Sequence, residues 1–135
     1  MLLLERSTWP REKVCGGCLS ASAVACLERI GLTKLLDGAV PIEASIVHVA
    51  GAAVRLPAQS VLAIRRAEFD TELVAAFQSL GGTFVANASA SLRAGEPGRD
   101  RRFVRAAVGG EAIDLYGRTI LACDGLAGSS LSEEP

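Results

Sequence analysis

The sequence opens with Met1-Leu-Leu-Leu-Glu5-Arg6-Ser-Thr-Trp-Pro10-Arg-Glu-Lys-Val-Cys15-Gly-Gly-Cys-Leu-Ser20, and these residues are the most informative about the fold class. A short apolar run that ends in an acid is typical of a buried strand with a carboxylate at its tip. Two glycines and a serine then lead into a periodic apolar segment, as at the start of a helix. Strand, glycine-containing loop and helix in this order predict an α/β fold.

A carboxylate at the tip of the second parallel strand has a known use in dinucleotide-binding units. It hydrogen-bonds the adenosine ribose, about 20 residues after a Gly-rich turn that holds the phosphates. Glu5 fits the position of that acid, but no such turn can precede it within this sequence. We therefore expect the chain to correspond to the interior of a larger protein, with the phosphate turn before Met1.

Composition narrows the class of protein further. The 135 residues are 50% apolar and carry 14 basic against 15 acidic side chains, for a net charge of −1. This balance gives no electrostatic argument for binding nucleic acid or an anionic membrane surface. No apolar run is long enough to cross a bilayer, and no signal peptide is recognisable. We expect a cytoplasmic enzyme segment in which the four cysteines are thiols.

Periodicity predicts two helices and a series of short strands. The first helix is expected over about 20–30, ending at Gly31, and the second over about 67–80, ending at Gly81-Gly82. Strands are expected at 46–49, 52–56, 61–64, 83–86, 90–92, 103–108, 112–115 and 119–123. The first three suggest a small antiparallel sheet inserted between the helices. The polar run 93–102 is interpreted as a solvated hairpin tip.

The motif Cys15-Gly16-Gly17-Cys18 is expected to open the first helix. A helix N-terminus lowers the pKa of a thiol, so a C-x-x-C motif there favours dithiol redox chemistry of the thioredoxin type. The alternative is that the glycines permit close backbone approach and the cysteines are small fillers. Zinc is not supported, since no second pair of ligands accompanies the motif. The single histidine, His48, is interpreted as a packing or surface residue.

Two further motifs place polar groups near strand ends. Arg66 begins the second helix directly after a predicted strand, where a guanidinium and backbone N–H groups can bind a phosphate. Asp124-Gly125 follows the predicted strand 119–123, at the carboxyl edge where ligands bind in open α/β sheets. An ordinary solvated arginine and an ordinary strand exit remain the alternatives.

The order of these motifs is more specific than any one of them. Glu5-Arg6, the Cys15-Gly16-Gly17 segment, Arg66-x-x-Phe-Asp and Asp124-Gly125 resemble, in this order, the geranylgeranyl reductase and aromatic-ring hydroxylase (para-hydroxybenzoate hydroxylase-like) group of FAD-dependent flavoproteins. The resemblance extends over residues 2–131. It implies a partial glutathione-reductase-type, Rossmann-like FAD-binding core with part of a β-rich substrate layer, truncated at both ends.

The resemblance also implies roles for single residues. Glu5, with Arg6 beside it, would hold the adenosine ribose, and Arg66 would face the FAD pyrophosphate. Asp124 and Gly125 would form the internal Asp-Gly fingerprint near the dinucleotide. The loop residues that would line the flavin side are Cys15, Gly16 and Gly17. Under this interpretation we expect Cys15 to titrate without a strongly lowered pKa.

The implied domain is a single incomplete one over 1–135, with FAD-domain elements at about 1–38 and 66–131 and the inserted sheet at about 42–65. The implied activity is FAD-dependent oxidoreduction with NAD(P)H as electron donor. It is either reduction of a carbon–carbon double bond or hydroxylation, of a small apolar or aromatic substrate. No catalytic acid or base is assigned. A dithiol redox protein using Cys15 and Cys18, and a non-catalytic remnant of a flavoprotein, are the rival interpretations.

Overall fold

The computed structural model describes residues 1–15, 17–92, 101–123 and 125. They form a mixed α/β structure in two compact units, the first made of 1–9 with the chain from residue 80 onward, the second of 10–79. In chain order the elements are β1 (Leu2–Leu4), β2 (Cys18–Leu19), α1 (Ala21–Arg29), a 3₁₀ turn (Thr33–Leu36), β3 (Val40–Val49), β4 (Ala52–Ala63), α2 (Arg66–Ser79), β5 (Thr83–Val85), β6 (Ala88–Leu92), β7 (Arg102–Val108) and β8 (Glu111–Gly117).

The first unit contains two small sheets. Strands β1 and β5 pair in parallel, with Leu3 opposite Phe84. Strands β6, β7 and β8 form an antiparallel meander in that order. The Trp9 ring packs edge-on against Phe84 with centroids 5.4 Å apart, which covers one side of the parallel pair. The predicted strand at the opening of the chain is thus confirmed, together with the parallel neighbour that an α/β fold requires.

The second unit is built around a long hairpin. Strand β4 is central in a three-stranded antiparallel sheet, with β2 on one side and β3 on the other. Helix α1 connects β2 to the 3₁₀ turn before β3, and α2 follows β4. Strand β2 pairs over only two positions, Cys18 with Ala63 and Leu19 with Leu62. A strand of two residues is too short to show alternation of apolar and polar side chains in the sequence. The sequence pattern predicts a helix start at this point instead.

Both helices begin and end close to where the pattern places them. The Ser20 hydroxyl caps α1 by accepting the Ala23 N–H at 3.3 Å. The chain leaves the two helices through Gly31 and Gly81, whose φ angles are +75° and +83°. Glycine adopts this left-handed conformation without the steric cost that a Cβ adds. The predicted helix ends are confirmed.

The hairpin differs from the prediction of three short strands at 46–49, 52–56 and 61–64. The structure has two long strands, and β4 continues through Pro57, which pairs with Ala44. Proline is tolerated here because β2 reaches only the far end of β4, so that β4 is an edge strand at Pro57. The register shifts between Ile42 and Ala44. This shift is a β-bulge, and it lies near residue 56, where the sequence pattern predicts a strand end.

Three other expectations need correction or stay open. Residues 119–123 are not a strand, since no described strand lies beside them and an unpaired strand is not stable. Strand β1 is not buried, because among the described strands it pairs only with β5, and Leu2 is 44% exposed. Of the predicted hairpin tip, 93–100 lie outside the described residues. The two strands that flank it, β6 and β7, do pair antiparallel.

Few side chains of the described residues are fully enclosed. The buried apolar residues are Leu27 in α1, Ala88 in β6 and Ala106 in β7. In α2 the apolar side chains of Phe69, Leu73 and Phe77, spaced four positions apart, are half-buried, whereas Leu80, just beyond the helix, is exposed. The one buried charged residue among those described is Asp70, which is 6% exposed. A buried carboxylate needs partners, and these partners identify the centre of the candidate site.

Candidate functional site

Glu5 lies at the carboxyl end of β1 and is held on both sides by backbone hydrogen bonds. Its N–H donates to the Val85 carbonyl at 2.9 Å, and its carbonyl accepts the Ala88 N–H at 2.9 Å. Its carboxylate accepts the Ser7 N–H at 2.8 Å, which turns the chain away from the strand. The side chain is half-buried. Glu5 is therefore a fixed acceptor at the carboxyl edge of a parallel pair, the kind of edge at which α/β sheets bind ligands.

The residues next to Glu5 form further hydrogen bonds at this strand end. The Asn87 N–H donates to the Ser7 carbonyl at 3.2 Å, and the Thr8 hydroxyl lies 3.1 Å from Asn87 Oδ1. Asn87 has a φ of +53°, so the corner between β5 and β6 is tight. Arg6, which follows Glu5 in the chain, is exposed. The structure thus places the predicted pair Glu5 and Arg6 at a strand end, as the sequence indicated.

The cysteine motif does not open a helix, which corrects the expectation. Helix α1 begins at Ala21, after β2, and Cys18 belongs to that strand. Because the amide dipoles of α1 start beyond both cysteines, the helix gives Cys15 no N-terminal stabilisation. All four cysteines are exposed, and none forms a disulfide. The helix-dipole argument for the dithiol alternative therefore does not apply at this motif.

Gly17 has a structural reason to be glycine. Its φ is +63°, and a Cβ at this position would lie 2.8 Å from the Ile64 carbonyl oxygen. The Ile64 N–H donates to the Gly17 carbonyl at 2.7 Å, so the loop is fastened to the end of β4. Close backbone approach, the alternative considered for these glycines, is confirmed at Gly17. Gly16 lies outside the described residues.

The fastened loop brings Cys15 to the start of α2. The Cys15 sulfur accepts hydrogen bonds from the Gly17 N–H at 3.5 Å and from Arg66 Nη1 at 3.4 Å. Arg66 also donates from Nε to Asp70 Oδ1 at 2.6 Å, one helical turn along α2. The second carboxylate oxygen of Asp70 lies 2.7 Å from Lys13 Nζ. We call these four residues, Lys13, Cys15, Arg66 and Asp70, the thiol–guanidinium cluster.

The contacts within the cluster shift three pKa values. The Gly17 N–H, and next the Arg66 guanidinium, lower the pKa of the Cys15 thiol. Burial of the Asp70 carboxyl by itself raises its pKa, but hydrogen bonds from Lys13 and Arg66 outweigh that cost, and the net pKa is lowered. The hydrogen bond to Asp70 raises the pKa of Arg66. The cluster therefore pairs two basic side chains with one carboxylate.

The sequence pattern singles out Cys15 and Arg66 but assigns no role to Lys13 or Asp70. One signal was visible, because arginine and aspartate four positions apart on a helix form ion pairs. Asp124 lies outside the described residues. Gly125 is described, exposed, and has a φ of +81°. His48 is exposed in β3, in agreement with the interpretation as a packing or surface residue.

Metal binding requires ligating side chains that lie close together, and a membrane-spanning helix must be long and apolar. The described residues contain no group of three or more His, Cys, Asp or Glu side chains that could hold a metal ion. None of their helices has the length and apolar character that crossing a membrane requires.

Comparison with known proteins relates the fold to flavoproteins. The sequence matches no protein-family model and no curated protein. The structure is similar to the flavin-dependent halogenase CmlS, with a TM-score of 0.72 and 22% identity over 85% of this chain and 23% of the halogenase. It is also similar to a flavoprotein/dehydrogenase from Cytophaga hutchinsonii, with a TM-score of 0.68 and 12% identity over 87% of this chain and 31% of that protein.

A third similar structure is p-nitrophenol 4-monooxygenase from Pseudomonas putida, with a TM-score of 0.64 and 12% identity over 85% of this chain and 32% of the monooxygenase. At these identities the similarity establishes a shared fold. The chain spans less than a third of the length of each of these three proteins.

Proposed function

We propose that this chain is the FAD-binding portion of a FAD-dependent oxidoreductase. The observation that carries the proposal is the position of Glu5 at the carboxyl end of β1, in a parallel pair of strands. The chain as a whole is similar in fold to segments of a flavin-dependent halogenase and of a flavoprotein/dehydrogenase. An acid at such a strand end is the group that hydrogen-bonds the ribose of a bound dinucleotide. The ordered motifs of the sequence, which resemble those of the same broad group, support the proposal independently.

The side chains present fit a dinucleotide in their chemistry. Glu5 supplies a carboxylate, which accepts hydrogen bonds from ribose hydroxyls. Arg66 supplies a guanidinium at the first turn of α2, where a phosphate is favourably bound. Gly17 presents backbone without a side chain beside Cys15. We assign these residues, with Arg6 and the Asp124-Gly125 segment, to FAD binding, and 42–65 to the substrate-side sheet.

The chemistry that bound FAD supplies is two-electron transfer. We propose NAD(P)H as the electron donor and a small apolar or aromatic molecule as the substrate, in the cytoplasm. The reaction is reduction of a carbon–carbon double bond, as in geranylgeranyl reductases, or hydroxylation of an aromatic ring. The contribution of this chain is to bind and orient the cofactor through fixed hydrogen-bonding groups, since no described side chain is placed as an acid or base.

Flavin binding tests the proposal directly. Because no Gly-rich phosphate turn occurs within the 135 residues, we expect the purified chain to bind FAD weakly. Fusing the Gly-rich strand–helix unit of a similar flavoprotein to the N-terminus should tighten binding, measured by quenching of flavin fluorescence. FMN, which lacks the adenosine ribose, is the matched control ligand. Equal affinity of the fused protein for FAD and FMN, or no binding of either, would contradict the proposal.

The dithiol alternative is less well supported by the geometry. Its premise was a thiol at a helix N-terminus, and α1 begins beyond the motif. A non-catalytic remnant is the outcome indicated if the fused protein folds and still fails to bind FAD.

A further inference from the structure

Asp70 is an unusual residue for so small a core. It is 6% exposed, yet it is charged, and both of its carboxylate oxygens are bound to cations. Arg66 Nε lies 2.6 Å from one oxygen and Lys13 Nζ 2.7 Å from the other. The two cations come from different parts of the chain, α2 and the segment before β2. Such an arrangement fixes the rotamer of each cation, because each loses its pairing energy if it turns away.

As a consequence, one edge of the Arg66 guanidinium is held by Asp70 and the other edge faces Cys15. With Nε held by Asp70, Nη1 points to Cys15 and lies 3.4 Å from its sulfur. The Gly17 N–H approaches the same sulfur at 3.5 Å. The sulfur is thus an exposed atom that faces two donors, one of them charged. Such surroundings stabilise a thiolate, which is the nucleophilic form of cysteine.

We infer that Cys15 is the reactive thiol of this chain, a covalent modification site for small soft electrophiles, and that Asp70 is the residue that positions Arg66 to activate it. Asp70 does not touch the sulfur through any described hydrogen bond. It acts through Arg66. Cys15 reacts in this way in the isolated chain, whether or not flavin binds.

The reaction can be written for a simple probe, iodoacetamide. The Cys15 thiol first loses its proton to solvent, and the thiolate sulfur then donates an electron pair to the probe's methylene carbon. A sulfur–carbon bond forms as the carbon–iodine bond breaks, and iodide leaves with the bonding pair. No oxidant or reductant is consumed. Arg66 and the Gly17 N–H contribute by holding negative charge on the sulfur before the attack.

The chain contains its own control at Cys26. This thiol is also exposed and also faces an arginine, because Arg29 Nη2 lies 3.8 Å from Cys26 Sγ. The contact is longer than that of Arg66 with Cys15, and the described hydrogen bonds and ion pairs show no carboxylate that anchors Arg29. If proximity to an arginine were sufficient, Cys26 would react as fast as Cys15. If the anchored guanidinium matters, Cys15 reacts faster.

Asp70 can influence Cys15 in two opposite ways. The charged groups that act on the sulfur are Arg66 and Asp70, both on α2, and Lys13 is bound to Asp70 from the sulfur's own segment. The negative charge of Asp70 by itself disfavours a thiolate nearby. Its removal would then make Cys15 more reactive. If Asp70 acts by aiming Arg66, its removal makes Cys15 less reactive, so the sign of the change separates the two roles.

The experiment is alkylation of the full chain with iodoacetamide, resolved by cysteine with peptide mass spectrometry across pH 6–9. We expect Cys15 to react before Cys26 in the native protein. In Asp70→Asn the rate at Cys15 near neutral pH should fall by roughly 3-fold to 10-fold, since a change of one pKa unit alters the thiolate fraction about tenfold. The midpoint of its pH profile should rise, while the profile of Cys26 stays unchanged.

Asp70→Glu, which keeps the charge, should restore part of the rate. An unchanged or faster reaction at Cys15 in folded Asp70→Asn would overturn the inference, as would equal reactivity of Cys15 and Cys26 in the native chain. If Asp70→Asn loses its helical circular dichroism, Arg66→Gln takes its place, because Arg66 begins α2 and is partly exposed. That variant must slow Cys15 and leave Cys26 unaffected, and any other result refutes the role of Arg66.

Discussion

The Ile64 N–H donates to the Gly17 carbonyl at 2.7 Å, and a Cβ on Gly17 would lie 2.8 Å from the Ile64 carbonyl oxygen. The loop that carries Cys15 is therefore fastened to the end of β4 by a backbone hydrogen bond. The same contact leaves no room for a side chain. This contact helps to hold Cys15 near the start of α2, where Arg66 Nη1 lies 3.4 Å from the Cys15 sulfur.

Gly17→Ala should destabilise the protein by roughly 2–4 kcal/mol, because an alanine is strained in the left-handed backbone and also displaces the Ile64 carbonyl. The measurement is urea unfolding followed by circular dichroism. Gly38→Ala is the matched control, since Gly38 has a φ of +80° but no atom lies within 4 Å of where its Cβ would be. Its cost should be limited to roughly 1–2 kcal/mol. Equal losses at both positions would show that the contact with Ile64 carries no cost.

Asp70 should make stability depend on pH on the acid side. Its pKa is lowered in the folded protein from the ordinary value of 3.8, so the pairing is fully effective above that value and is lost as pH falls through the folded pKa. Asp70→Asn should cost about 1–3 kcal/mol at pH 7. The variant should also lose less stability than the native protein between pH 4 and pH 2, compared by urea unfolding.

A control for this prediction is Asp114→Asn. Asp114 pairs with Arg105 at 3.6 Å, but its side chain is 53% exposed, so solvent screens the pair. We expect its removal to change stability by less than about 1 kcal/mol. A larger loss at Asp114 than at Asp70 would mean that burial does not determine the strength of these pairs.

Glu5→Ala should weaken FAD binding by the fused protein by roughly 1.5–3 kcal/mol, the range for hydrogen bonds to charged groups. The measurement is a fluorescence titration with FAD. Glu5→Gln separates two roles, because its amide oxygen can still accept the Ser7 N–H while the negative charge is lost. Unchanged affinity in Glu5→Ala would mean that the opening strand does not carry the ribose-binding acid.

Cys18→Ser should leave both folding and the alkylation of Cys15 largely unchanged, because Cys18 is exposed in β2 and its pairing with Ala63 in the ladder uses backbone groups that serine keeps. Reduction of insulin disulfides by the native chain should remain at background. Sustained dithiol turnover that disappears in Cys15→Ser and in Cys18→Ser would instead favour the thioredoxin-like interpretation.

Local signals identified most of the elements. The Ser20 cap and the glycines after both helices act within a few residues, so the pattern placed α1 and α2 correctly. The strands of the meander were recognised for the same reason. The predicted strands were wrong where a strand depends on pairing with a neighbour that is distant in the sequence. Strand β2 exists because β4 lies beside it, Pro57 is tolerated because its strand has an open edge there, and residues 119–123 have no described neighbouring strand.

Amino-acid order alone predicts the mixed α/β class, the helix limits and the position of Glu5 at a strand end, because these depend on neighbours in the chain. Folding, in contrast, is what brings Cys15 to Arg66, a residue 51 positions away. It also buries Asp70 against Lys13 as well as Arg66. The pKa of Cys15 is lowered first by the N–H of Gly17, two residues along the chain, and next by the distant Arg66. Electrostatic interactions act over a few ångströms in space, and only folding brings distant charges within that range.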